Sequence, residues 1–457
     1  MNRQTVGDRV RGSLNRAGNQ TKGPGGLISL ATFIKESLRT TDDKFVSQRK
    51  HRPDRLIFVL IVALLLVSLV TLWSIAPARV QILGGGEMAE FKFVAKLIIV
   101  MFIGIGTFFV CSRINLNIWR RLSVWLLAGA FLACLLLALL GALGAPIANC
   151  ANGACRWYDL GFFDFQPAEL LKLAMLLFTA GFLAQKTKLN ELNSIKRTIL
   201  PLTCLSVFAL FVVVFLEQDL GTGVALVGII LTQLIISKAS WRIIIALVTI
   251  LVGLGLLAVA IAPHRMERVA SFGADCFTID AEADTWHICQ SLTALGAGGI
   301  FGRGLGHSIS SFGWLPEAIN DSIFAIMGET FGLIGLISIL IVFYILLYRI
   351  LKISDYIGNV FLRILTAGVF GWILSHVLVN IGSMTGLIPL TGITLPFLSA
   401  GGTSLLFIMA ASGIVYNISR YTAHREVNDD EREGLEDENS SGWRRVRRAR
   451  YASRSDN

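Results

Sequence analysis

The sequence predicts an all-α, polytopic membrane protein with about ten transmembrane helices. Three observations carry that prediction. The 457 residues are 54% hydrophobic and only 16% charged, with a mean hydropathy of +0.65, whereas a soluble globular chain carries about 25% charged residues. Apolar runs of about 20 residues recur along most of the chain, and each is long enough to cross a bilayer. The loops between those runs alternate between basic and acidic. This composition excludes a soluble enzyme and a disordered chain. The 44 Gly follow no collagen period, and 7 Cys are too few for a disulfide scaffold. A net charge of +10 would suit nucleic acid in a soluble protein. In a membrane protein it reflects basic cytoplasmic loops, so no nucleic-acid partner is expected.

In chain order, residues 1–55 are polar, rich in Gly, Ser and Thr, and hold twelve Lys and Arg. They read as a basic, disordered cytoplasmic tail. The first apolar run, 56–76, is too long for a signal-peptide core and no small-residue cleavage site follows it, so it reads as a retained helix. Further runs lie at 93–111, 122–144, 167–184, 199–216, 218–236, 242–262, 322–348, 360–385 and 397–418. One set of loops carries Arg113, Arg120 and Arg121; Lys186, Lys188, Lys196 and Arg197; Lys238 and Arg242; and Arg349 and Lys352. The opposite set is acidic or neutral: Glu87 and Glu90; Asp159 and Asp164; Glu217 and Asp219; and a large loop, 263–321, with seven acidic and three basic residues. The positive-inside rule places the basic loops and both termini in the cytoplasm, as an even number of crossings requires. The membrane domain is thus 56–418 with an extracellular loop at 263–321. The charged cytoplasmic tail, 419–457, is either a solvated segment or a basic patch for anionic lipid or a cytosolic partner.

Ionisable residues at the membrane edge are costly and are functional candidates. Three clusters map to the outer side. In the first, Arg156, Trp157, Tyr158 and Asp159 precede Gln166 and Pro167, which suits a first helical turn. Glu169 then sits where the helix dipole favours an anion, and Lys172 lies three residues on along the same face. The two form either a structural ion pair or a polar site facing a cavity. In the second, Glu217, Gln218 and Asp219 interrupt an apolar stretch. Asp219 is either a helix cap or a site carboxylate. The third closes the large loop, with Gln290 and Ser291, glycines at 296, 298, 299, 302, 304 and 306, and then Leu315, Pro316, Glu317 and Asp321. No Lys-Ser/Thr follows the glycines and no strand–helix unit holds them, so no nucleotide is expected. The glycines let backbone pack closely or approach a ligand. Asp321 opens the next span at the membrane surface, where a carboxylate either takes a proton from a hydroxyl or caps the helix. The connection before the last span is uncharged and rich in Gly and Pro, with Ser399, Gly401 and Gly402 at its end. It reads as a broken helix lining protein or a cavity, or as small-residue packing.

Together the stretches RWYDLGFFDFQPAELLKL, EQDLGTG, QSLTALGAGGIFGRGLGHS, LPEAINDSIFAIMGE, NIGSMTGLIPLTGITLPFLSAGGTS and GIVYNISR resemble the SEDS family (shape, elongation, division and sporulation) represented by FtsW and RodA. The resemblance covers about 50–420 in order and spacing. It implies a peptidoglycan glycosyltransferase that polymerises lipid II at the outer face of the bacterial cytoplasmic membrane. In that reaction an acceptor 4-hydroxyl attacks the donor's anomeric carbon with inversion, and undecaprenyl pyrophosphate leaves. It implies Asp321 as the catalytic residue. It also implies a substrate and pyrophosphate site at Arg156, Trp157, Glu169, Lys172, Asp219, Gln290, Ser291, Ser399, Gly401 and Gly402. A divalent cation, Mg or Mn, would neutralise the leaving group, with Glu169, Asp219 and Asp321 as candidate ligands. The implied partners are a class B penicillin-binding protein, which supplies the transpeptidase, and other division-complex membrane proteins. Glu217 before Gln218 and Asp219, together with GITLPFLS, look more like the FtsW branch and a septal role, while NIGSMTG leans to the RodA elongation branch. A lipid II flippase is the rival reading. The chain departs from the family pattern at Ala168, Gln218, His287, Cys289, Ser322 and Ala400, but keeps the Asp, Glu and Lys.

The cysteines add a separate expectation. Cys150 and Cys155 share one outer loop, and Cys276 and Cys289 share another. Oxidation is permitted outside the membrane, so bonds 150–155 and 276–289 are expected, with free thiols as the alternative. Zinc held by these four with His287 would match no standard spacing.

Overall fold

A computed structural model of the chain describes residues 51–422 apart from 83, 85, 152–153, 162, 262–265, 267–275 and 277–282. The expected tails 1–55 and 419–457 lie outside the described residues except for 51–55 and 419–422. The helices are α1 (Arg55–Ile82), α2 (Glu87–Arg113), α3 (Leu116–Ala142), α4 (Pro167–Lys188), α5 (Leu200–Leu210), α6 (Leu220–Ile236), α7 (Trp241–Ile261), α8 (Ala283–Gly298), α9 (Ile323–Asp355), α10 (Val360–Met384) and α11 (Gly402–Ile418). Wider π-type turns, Ile195–Ile199 and Phe211–Leu216, extend α5 at both ends. Among the described residues nine helices are long and apolar enough to cross a membrane, counting α5 with its extensions, and the shorter apolar α6 makes a tenth. The predominantly α-helical, ten-span architecture is the one expected.

Local sequence explains the helix starts. Asn115 caps α3 through Asn117 N, and Asn359 caps α10 through Phe361 N and Leu362 N. Pro167 begins α4 at a position where the missing N–H costs nothing. Glu87 and Glu90 open α2 rather than lying in a loop, because acidic residues favour the positive helix end. At the other end, α9 runs on to Asp355 and carries Arg349 and Lys352 within it. Burial sorts the helices into layers. In its most apolar stretch α4 is 89% buried, against 18% for α7, so α4 is central and α7 faces lipid.

One end of the bundle is tied by polar contacts between chain-distant segments. His51 N donates to Arg420 O (3.0 Å), Asp54 N to Ser419 Oγ (3.0 Å), and Arg349 pairs with Asp54 (3.6 Å). The start of α1 and the ends of α9 and α11 therefore share one face, the basic one. The start of α9, and with it Asp321, lies at the opposite end.

Two features were absent from the sequence reading. First, the loop between α3 and α4 forms a three-stranded antiparallel sheet, β1 (Ala148–Ala151), β2 (Ala154–Asp159) and β3 (Asp164–Phe165), in the order β1-β2-β3. Cys150 stands opposite Cys155 in its register and is disulfide-bonded to it. Strands this short carry too few alternations to register as a pattern. Second, the large loop contains α8, whose buried face includes Thr285, His287 and Ser291 beside Ile288 and Ala294. A helix that buries polar residues gives no apolar stripe.

The glycine-rich segment after α8 packs backbone to backbone against α9. Gly332 (φ 67°) kinks α9, and the main-chain groups freed there are paired. Arg303 N donates to Glu329 O (2.9 Å), Gly304 N to Thr330 O (3.0 Å) and Leu333 N to Gly299 O (2.9 Å). At Gly302 (φ 78°) a Cβ would collide with the Thr330 and Phe331 main chain. Close backbone packing is thus the use to which these glycines are put.

Candidate active site

Asp321 sits at the mouth of α9, 9% exposed. A tight turn at Glu317 (φ 47°) delivers it: Asn320 N and Ser322 N both donate to Glu317 O (3.0 and 3.2 Å). Ser322 rather than Asp321 occupies the α9 N-cap position. Three main-chain carbonyls in a row are then clamped by α10 and the connection that follows it. Ala400 N donates to Ile319 O (2.9 Å), Ser399 Oγ to Asn320 O (2.6 Å) and Asn380 Nδ2 to Asp321 O (2.7 Å). Gly392 (φ 70°) lies against the carboxylate, where a Cβ would be 3.8 Å from Asp321 Oδ2. From α8, His287 Nε2 lies 2.6 Å from Ser322 Oγ, which donates to Pro316 O (2.8 Å).

Below this turn lies a buried charge pair. Lys172 Nζ donates to Glu169 Oε1 (2.8 Å), and the two residues are 1% and 3% exposed. The i,i+3 spacing has produced the pair anticipated from sequence. Lys172 Nζ is also 3.2 Å from His376 Nε2 and 5.3 Å from the Trp372 ring centroid. Trp372 Nε1 donates to His376 Nε2 (3.2 Å), and His376 Nδ1 faces Thr394 O (3.1 Å). His376 was not a sequence candidate. The signal available was the spacing of Trp372, His376 and Asn380, four apart along one face of α10.

The other candidates are placed as follows. Arg156, on β2, donates to Glu217 O (3.2 Å) and Gln218 O (2.8 Å), bracing the turn before α6 where Gln218 has φ 55°. Trp157, its half-buried neighbour, pairs in register with Asn149. Asp219 takes the helix-cap alternative. It accepts from Thr222 N (2.9 Å), Thr222 Oγ1 (2.8 Å) and Gln166 Nε2 (3.0 Å), which joins the N-termini of α6 and α4. Ser291 is fully buried and donates to His287 O (2.9 Å); Gln290 beside it is half-buried. Ser399, besides its clamp on Asn320, accepts from Leu395 N (2.8 Å). Gly401 and Gly402 form the N-terminus of α11, with Gly402 against Phe163. Cys276 is bonded to Cys289 on α8, two residues from His287. Among the described residues no three His, Cys, Asp or Glu side chains converge. An apolar cavity of about 340 Å³ lies among α5, α6 and α7, lined by residues that include Leu210, Val214, Leu220, Val224, Leu251 and Val259.

Glu217, in the turn between α5 and α6, is fully buried. Burial pushes its pKa up to about 8; the Asp219 carboxylate adds to the rise, and the Cys134 thiol and Arg156 oppose it. A carboxyl raised on folding keeps its full contribution to stability below its unfolded pKa and loses it as pH climbs through the folded one. Thermal melting in detergent is therefore expected to fall as pH rises from about 4.5 to 8. The Glu217→Gln variant should hold a flatter profile and melt higher than wild type at the alkaline end. Superimposable profiles would contradict the buried-carboxyl account.

Residues 54–424 match the family model FTSW_RODA_SPOVE, described as "Cell cycle protein". Stage V sporulation protein E of Bacillus subtilis (strain 168) is 34% identical over 387 residues, covering 83% of this chain and 100% of that protein. The probable peptidoglycan glycosyltransferase FtsW of Tolumonas auensis is 34% identical over 389 residues, covering 82% and 94%. Among solved structures, one chain of a peptidoglycan synthase complex, described as coordinating polymerization and crosslinking, aligns with a TM-score of 0.59 at 23% identity. That alignment covers 80% of this chain and 98% of the other. The rod shape determining protein RodA of Thermus thermophilus aligns at 0.56 and 21%, covering 81% and 98%. At these identities the two structures speak to the fold.

Proposed function

The chain belongs to the FtsW, RodA and SpoVE family of cell cycle proteins, and from that premise we propose that it is a peptidoglycan glycosyltransferase that polymerises lipid II at the outer face of the cytoplasmic membrane. The observation that carries the reading is the Asp321 carboxylate on a turn whose main-chain carbonyls are clamped, at the end of the bundle opposite the basic face. In the step we propose, Asp321 accepts the proton of the acceptor sugar's 4-hydroxyl. The freed oxygen pair forms a bond to the anomeric carbon of the donor, and the bond from that carbon to the pyrophosphate oxygen breaks. Undecaprenyl pyrophosphate leaves with that electron pair, and the anomeric centre inverts. A base in hydrogen-bond reach of the hydroxyl supplies about 10²–10⁴ of rate. The apolar cavity among α5, α6 and α7 suits a polyprenyl chain. Arg156 and Trp157, on the outer sheet, are the proposed sugar and pyrophosphate contacts. The buried Lys172 acts at a distance, through its field.

The predominance of relatives named FtsW supports a septal role rather than one in elongation. The crosslinking partner is proposed to be a class B penicillin-binding protein, acting with other membrane proteins of the division complex. Lipid II offered to the purified protein and its partner in detergent tests the reading. Glycan chains are expected, and a protein that only moves lipid II between leaflets would make none, because detergent leaves no leaflets.

Among the described residues the three candidate metal carboxylates do not converge on one point. Glu169 Oε1 is held by Lys172, and both Asp219 oxygens accept hydrogen bonds. No step is therefore routed through a metal. The proposed Mg²⁺ or Mn²⁺ would arrive with the pyrophosphate, since Mg²⁺ prefers one or two carboxylates together with substrate phosphates. Chelation is expected to lower turnover by about tenfold or more, reversibly on adding Mg²⁺. Turnover indifferent to chelator would mean that the leaving group departs without a cation.

A further inference from the structure

The contacts of His376 fix which of its nitrogens bears a hydrogen. Nδ1 faces the Thr394 carbonyl at 3.1 Å, and a carbonyl can only accept, so Nδ1 carries the hydrogen. Nε2 faces the Trp372 indole N–H and the Lys172 ammonium, both at 3.2 Å. An indole nitrogen only donates and an ammonium has no lone pair, so Nε2 offers its own lone pair, shared between the two. The ring is the neutral Nδ1–H tautomer. It sits 3% exposed on α10, away from bulk solvent.

Its position joins two parts of the site that are otherwise separate. On one side is the Glu169–Lys172 pair of α4. On the other is the connection between α10 and α11 that clamps residues 319 and 320. His376 and Asn380, four residues apart on the same face of α10, take the consecutive carbonyls Thr394 O and Ile393 O (Asn380 Nδ2 to Ile393 O, 2.7 Å). The same Asn380 amide reaches Asp321 O. One helix face thus sets the register of the connection and, through it, the height of the Asp321 turn.

We infer that His376 is a positioning residue for the Asp321 site, locking the Lys172–Glu169 pair to the segment that holds the turn before Asp321. It touches no substrate. The inference rests on the glycosyl-transfer reading for its kinetic consequence and on geometry alone for its tautomer. His376→Leu removes both the donor and the acceptor. It is expected to lower kcat by about 100-fold, the scale of a 1 Å misplacement, with KM for lipid II within about threefold of wild type. His376→Gln keeps one donor and one acceptor on a neutral group and should return kcat to within about tenfold of wild type. Wild-type kcat in the Leu variant, a change confined to KM, or a Gln variant as slow as Leu would each overturn the positioning role.

A second measurement does not depend on any variant's activity. In protein labelled with ¹⁵N-histidine, one ring should give the neutral Nδ1–H signature, lost in His376→Gln. An imidazolium or an Nε2–H signal at that position overturns the inference. An active wild type with the wrong tautomer would sink this inference alone. An inactive wild type with the expected tautomer would sink the proposed function and leave the hydrogen-bond assignment standing.

Discussion

Replacing Asp321 with alanine is expected to abolish glycan polymerisation, by at least about 10³-fold within the range that a general base supplies. The expectation is sharp because the turn does not depend on the side chain being replaced. The clamps from Ala400, Ser399 and Asn380 go to the main-chain carbonyls of residues 319, 320 and 321, and Ser322 keeps the helix start. Asp321→Asn, of nearly the same volume, should be as inactive as the alanine variant while melting with wild type. Activity is read as chain formation from fluorescent lipid II in detergent, with the partner present. An alanine variant within about tenfold of wild type would remove the base from the mechanism. Full cell function in that variant would point to a scaffold.

Lys172→Met is expected to produce the largest loss of stability. It strips the cation from Glu169, which is 3% exposed and whose second oxygen has no hydrogen-bond partner among the described residues. Breaking one side of a buried ion pair costs about 3–5 kcal/mol, because an uncompensated charge is left behind. Replacing both partners with neutral groups avoids that cost. The double variant Glu169→Gln, Lys172→Met should therefore recover much of the lost melting temperature. It should not recover activity, since the ammonium beside His376 and Trp372 is gone. Single and double variants melting alike would show that the two charges are not coupled.

The spans were legible because membrane crossing demands runs of apolar residues long enough to count, and loop charge supplied their direction. Boundaries were less so. Glu87 and Glu90 looked like loop residues until they were seen to favour a helix start, and 397–401 belong to the clamp rather than to α11. Within the site, side chain pairing with side chain at helical spacing could be read, as Glu169 with Lys172 shows. Side chain pairing with a distant carbonyl could not, because every residue has a carbonyl. That is why the roles of Arg156 at Glu217 O, Ser399 at Asn320 O and Asn380 at Asp321 O emerged only from the structure. His376 stayed hidden for a related reason, since one histidine in an apolar run resembles a satisfied core residue until its partners are known.

In the proposed reaction Asp321 meets its lipid-linked sugar from the face opposite the basic end of the bundle. Proteoliposomes of a single protein orientation, with lipid II confined to one leaflet at a time, test it most directly. Glycan should form only when lipid II occupies the leaflet at the α9 start, and wild type and Asp321→Ala should differ only there. Polymer made from lipid II held in the leaflet at the His51 and Thr422 end would contradict the account.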